Sequence, residues 1–202
     1  MNRRILLISL AGALAGGAAA LALLTGSPVP LGPSGSSAST GKALIGGPFL
    51  LVDQTGRRVT EKDFAGRLML VYFGFTACPD ICPSGLQVIA AALDKLGARG
   101  EKVVPVFITL DPERDTPEVL GGYVKSFHPR LVGLSGTPEE IAAATKAYRV
   151  YAAKVPSDTA PGAYSIDHSG FMYLMDGQGQ FVQHFQHTVT VEKLVDGIAK
   201  AL

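Results

Sequence analysis

Leu68-Met69-Leu70-Val71-Tyr72-Phe73-Gly74-Phe75-Thr76-Ala77-Cys78-Pro79-Asp80-Ile81-Cys82-Pro83 decides the fold. Its first six residues form an unbroken apolar run, as expected of a central strand buried on both faces. The only two cysteines of the chain stand just beyond the end of that run. A helix is expected to begin near Cys82, with Leu86, Ile89, Ala90, Leu93 and Leu96 on one face. The dithiol therefore sits at a strand-to-helix turn. A C-x-x-x-C pair closes a disulfide if the segment curls into one helical turn, because Cα atoms at that spacing lie roughly 6 Å apart. Reduced, the same pair chelates a soft metal ion.

Strand and helix signals alternate on both sides of this stretch. Phe49 to Asp53 reads as a short strand, with Gln54-Thr55-Gly56 as a turn. Val103 to Leu110 reads as a second buried strand. Thr116-Pro117-Glu118 opens a helix, with Thr as N-cap and Pro at the first helical position. Its apolar face carries Leu120, Tyr123, Val124 and Phe127. Thr137-Pro138-Glu139-Glu140 repeats the device and fits a capping box. Phe171 to Met175 is a third strand, turned back by Asp176 to Gly179 into Gln180 to Phe185 as a hairpin. Val191, Leu194, Val195, Ile198 and Leu202 mark a last amphipathic helix. The alternation predicts a three-layer α/β domain over residues 44–202.

The N-terminus is a different polymer. Asn2-Arg3-Arg4 precedes Ile5 to Leu24, a run without a charged residue. A spanning helix needs about 20 apolar residues, so residues 1–24 are long enough for a transmembrane anchor. The positive-inside rule keeps Arg3 and Arg4 in the cytoplasm. The bulk of the chain then lies on the periplasmic side of an inner membrane, held by a single pass. The rival reading is a signal segment cleaved at Ala18-Ala19-Ala20, although Leu21-Ala22-Leu23-Leu24 continues the apolar run past it. Residues 25–43, rich in Gly, Ser and Pro, read as a flexible linker.

The formal net charge of +1 offers no electrostatic case for nucleic acid as a partner. With two cysteines, a Cys₄ or Cys₃His zinc site within one molecule is excluded. A thiol peroxidase is disfavoured, because P-x-x-x-T-x-x-C would need Pro and Thr where Val71 and Phe75 stand. W-C-G-P-C is absent, since the chain has no Trp.

An α/β domain with a dithiol at a strand-to-helix turn looks like the thioredoxin-like fold, a central mixed sheet flanked by helices. The run Cys78-Pro79-Asp80-Ile81-Cys82-Pro83, then Asp111-Pro112-Glu113-Arg114-Asp115-Thr116-Pro117, then Asp167-His168 ahead of Met172-Tyr173-Leu174, resembles the Sco/SenC family. These are membrane-anchored, thioredoxin-like proteins associated with copper delivery to cytochrome c oxidase. By that resemblance Cys78, Cys82 and His168 match the family's copper ligands, with no departure at any of the three. The partners it implies are the copper-bearing subunit of the oxidase and an upstream copper donor protein.

Donor chemistry is compatible with this. Soft thiolates favour Cu(I), and imidazole also suits copper, as Cu(I) or Cu(II). Two thiolates and one neutral imidazole leave Cu(I) three-coordinate and transferable. A copper metallochaperone and a membrane-tethered thiol–disulfide oxidoreductase both remain open, because metal binding and exchange each need a thiolate. An inert structural disulfide is a third reading of the pair. His168 is expected in a strand-end loop ahead of the third strand. Cys82, near a helix N-terminus, is expected to gain thiolate character, and Asp80 to oppose it if close. Asp167 is read either as an acceptor orienting His168 or as a solvated carboxylate. His128, His184 and His187 are read as structural or solvent-facing, Met172 and Met175 as core. Asp111 to Pro117 is expected to shape the surroundings of the site without doing chemistry.

Overall fold

Side-chain alternation along one strand generates the layers. The computed structural model describes residues 44–157 and 162–202; the anchor and linker expectations fall outside them. Among the described residues no helix is long and apolar enough to cross a membrane. Strand β3 (Leu68–Gly74) is buried along its whole length. Because successive side chains point to opposite faces, Leu68, Leu70 and Tyr72 enter one core while Met69, Val71 and Phe73 enter the other. Strand β4 (Val103–Thr109) lies parallel beside it and is likewise buried throughout.

Around this pair, β1 (Leu50–Asp53), β2 (Arg58–Thr60), β5 (Val132–Ser135), β8 (Phe171–Met175) and β9 (Phe181–Gln186) complete a seven-stranded sheet. Its order is β2-β1-β5-β4-β3-β8-β9. The β3–β4 and β4–β5 pairs are parallel and the remaining pairs antiparallel, so the sheet is mixed. Helices α1 (Ile81–Leu96), α2 (Pro117–Lys125) and α4 (Val191–Ala201) put Leu86, Leu93, Leu120, Leu194 and Ile198 into the Leu70 core. Helix α3 (Pro138–Tyr148) covers the opposite face with Ile141, Ala144 and Tyr148. This is the mixed α/β architecture expected from the sequence, a central sheet flanked by helices.

The caps behave as read. Thr116 accepts from Val119 N–H, Thr137 and Glu140 form the reciprocal capping box, and Thr190 caps α4. On α1 the buried position is Ala92 rather than Ala90. Two features depart from expectation. Strands β2 and β5 add to the strands read from the sequence. Residues Ala152–Pro156 and Tyr164–His168 also pair, as β6 and β7, in a two-stranded antiparallel ribbon of their own. His168 is thus the last residue of a strand rather than part of a loop leading into β8.

Candidate metal centre

The site forms where β3 runs out. After Gly74 the chain turns through Phe75 to Asp80 and enters α1 at Ile81. Cys78 lies half-buried in the turn and Cys82, fully buried, in the first turn of the helix; both thiols are free. The Cys82 N–H donates to Cys78 Sγ over 3.4 Å, so one orphan amide of the helix N-terminus is satisfied by sulfur.

His168 meets this pair from the β6–β7 ribbon. Its Nε2 stands 3.7 Å from Cys82 Sγ, and its Nδ1 3.1 Å from the carbonyl oxygen of Ser169. With Nδ1–H donating to that carbonyl, the Nε2 lone pair faces the sulfur. Metal-ligating histidines characteristically anchor their second nitrogen in this way. The anchor is a backbone carbonyl; Asp167 is exposed, which favours the solvated reading of that residue. Phe75 sets its ring against the imidazole edge at 6.0 Å. Among the described residues no three His, Cys, Asp or Glu side chains are already gathered closely enough to hold a metal ion. A cleft of about 280 Å³ opens over Cys78, Asp80, His168 and His187.

Burial governs the electrostatics. It pushes the Cys82 thiol far up, with the Phe75 N–H a partial offset. The expected thiolate character from the helix terminus is therefore overridden by desolvation. The acid that adds to this effect is Asp115, not Asp80. Burial also lowers the His168 pKa, which keeps the ring neutral and its lone pair available at neutral pH.

Asp111 to Asp115 ties the two halves of the site together. Asp115, fully buried, accepts from Thr76 N–H at 3.0 Å, from the Thr76 hydroxyl, and from the Thr109 hydroxyl at 2.6 Å. It thereby fixes the turn that presents Cys78. Asp111, also fully buried, pairs with Arg114 and accepts from the Tyr164 hydroxyl at 2.8 Å. The Arg114 guanidinium lies 4.0 Å from the centre of the Tyr164 ring and donates to the Tyr164 carbonyl. Glu113 pairs with Lys154 across the same seam. One short segment thus holds both the cysteine turn and the ribbon that carries His168.

Gly74 makes room for the buried thiol. A Cβ there would stand 2.7 Å from Cys82 Sγ and 2.8 Å from the Phe107 ring, both inside a packed core. Gly74→Ala is expected to cost about 1–3 kcal/mol, the range for overpacking, and to displace Cys82 from His168. Chemical denaturation beside metal titration checks it; wild-type values in both would rule out the close fit.

A model of the SCO1/SenC family matches residues 37–202. The chain belongs to the SCO1/SenC family. A mitochondrial SCO1 homologue of Arabidopsis thaliana is 49% identical over 165 residues, covering 81% of this chain and 49% of that protein. The chain thus spans about half the length of that relative. Its fold is similar to copper-bound ScoI of Arabidopsis thaliana, with a TM-score of 0.74 and 49% identity over 78% of this chain and 97% of that one. Copper-bound ScoI of Bradyrhizobium japonicum is similar at a TM-score of 0.72 and 46% identity, covering 78% and 99%.

Within this SCO1/SenC chain, Cys78, Cys82 and His168 are brought to one place. Met172 and Met175 are fully buried core residues. The segment Asp111 to Pro117, expected to shape the surroundings of the site, does so through Asp115, whose hydroxyl partners the sequence does not reveal. One contributor escaped the sequence. His187 lines the cleft beside His168, although only the β8–β9 hairpin returns it there.

Proposed function

We propose that this SCO1/SenC protein binds copper through Cys78, Cys82 and His168 and delivers it to the binuclear copper site of cytochrome c oxidase during assembly. The observation that carries the reading is the approach of His168 Nε2 to Cys82 Sγ, with Cys78 one helical turn away. Copper in the similar ScoI structures supports it. In this reading residues 1–24 anchor the protein in the inner membrane and residues 25–43 tether it. The copper-binding domain, residues 44–202, then works on the periplasmic side. Copper arrives from a donor protein and leaves to the oxidase subunit.

The burial of Cys82 gives the test a signature. Its thiol is protonated at neutral pH, so metal must displace that proton. Titrating the reduced full-length protein anaerobically with Cu(I) is expected to show one equivalent bound. Affinity rises with pH by about tenfold per unit for each proton displaced. A pH-independent affinity between pH 6 and 8 would mean that Cys82 is not a ligand. The disulfide form is expected to take up none.

A second reading, a thiol–disulfide oxidoreductase acting on the copper-ligand cysteines of the oxidase, is favoured by one asymmetry. Cys78 is half-exposed and Cys82 buried, as for an attacking thiol and a resolving one. Exchange chemistry does not need His168, so the His168→Ala protein separates the two functions.

A further inference from the structure

We propose that His187 is a second imidazole donor at this cleft, joining the site when the copper it holds is Cu(II). The inference rests on the copper reading above and extends its ligand set.

Two imidazoles are held by one turn in the same manner. His168 directs Nδ1 at the carbonyl oxygen of Ser169, 3.1 Å away, and His187 directs Nδ1 at the carbonyl oxygen of Gly170, 3.3 Å away. With each Nδ1–H donating to its carbonyl, each Nε2 is left as the unprotonated, ligating nitrogen. The His187 backbone is fixed as well, its N–H donating to the same Gly170 oxygen at 2.8 Å.

The seat of the ring depends on Gly170. A Cβ at that position would stand 2.5 Å from His187 Nδ1. Without it the imidazole rests against the backbone two residues after His168, and both rings line the cleft that reaches Cys78.

Metal chemistry supplies the use. Cu(I) is satisfied by two thiolates and one imidazole. Cu(II) favours tetragonal surroundings richer in nitrogen or oxygen. Cys78, Cys82 and His168 supply three donors, and His187 is the imidazole beside them available for a fourth position. It would distinguish the two oxidation states at one site without altering the Cu(I) ligands.

Pulsed electron paramagnetic resonance on the reduced full-length protein, given one equivalent of Cu(II) under argon and frozen at once, counts imidazoles through their remote nitrogens. Two are expected in wild type and one in His187→Gln. Competition titrations should show Cu(II) held at least about tenfold more weakly by His187→Gln, with Cu(I) affinity unchanged. Two imidazoles retained in His187→Gln overturns the assignment. So does a wild-type Cu(II) signal with one imidazole, or Cu(I) uptake without any Cu(II) signal; these outcomes leave the copper reading intact. Uptake of neither ion overturns both.

Discussion

His168→Ala is expected to weaken Cu(I) binding by more than about a hundredfold while leaving the protein folded. Loss of a supporting residue around a metal ligand already costs about 10–100-fold, and here the proposed ligand itself goes. The two sulfurs that remain would hold Cu(I) without the third donor now 3.7 Å from Cys82. The ring is half-buried at the end of β7, and its removal breaks no pairing of the central sheet. The stability change should stay within about 1 kcal/mol, ordinary for such a position. Competition against a Cu(I) chelator measures the first effect and thermal unfolding the second. Tight, stoichiometric copper retention in the variant would dispose of a three-donor site. Undiminished disulfide exchange in the same protein would show that the dithiol is intact.

Asp115→Ala is expected to be the most damaging substitution outside the donors. The carboxylate is fully buried and receives one amide and two hydroxyl protons, from Thr76 and Thr109. Truncation strands those donors in a dry interior, at about 1–3 kcal/mol for each group left unsatisfied. A loss of about 3 kcal/mol or more should follow, which for a domain of this size lowers the melting temperature by roughly 6–12 °C. Copper affinity should fall too, because Thr76 anchors the turn presenting Cys78. Calorimetry on the metal-free protein isolates the structural part. A shift under about 2 °C would mean that the turn is held by something else. Asp115→Asn, which keeps an acceptor, should lie between.

The residues that made the centre of the fold legible are those whose environment is uniform. Leu68 to Phe73 is apolar on both sides of the pleat because helices cover both faces, and a run this short and this apolar fits a central strand better than an amphipathic helix. The Thr-Pro-Glu starts of α2 and α3 carry their own local chemistry, so they could be read without the rest of the molecule. The β6–β7 ribbon carries no comparable signal. Ala152 to Pro156 is largely exposed, pairs among the described residues only with Tyr164 to His168, and shows no alternation to betray a buried face. The burial of Asp111 and Asp115 depends on partners up to 53 positions away, Tyr164 and Thr76 among them. At Cys82 the local cue and the tertiary outcome conflict: the helix terminus favours a thiolate, and complete burial wins. For the dithiol and His168, motif and geometry coincide, because the cysteines are fixed by their own turn and the histidine is delivered by a seam of named contacts.

If the protein carries copper as proposed, the separation of β6–β7 from the seven-stranded sheet bears on how the ion would leave. Cys82 is rooted in the buried core, Cys78 lies half-buried in the turn before it, and His168 is mounted on a ribbon clamped by Asp111, Arg114 and Glu113. A recipient that competed for those clamping groups would draw His168 away while every rung of the central sheet stayed in place. Under that reading unloading would be stepwise, the ribbon donor leaving before the two sulfurs.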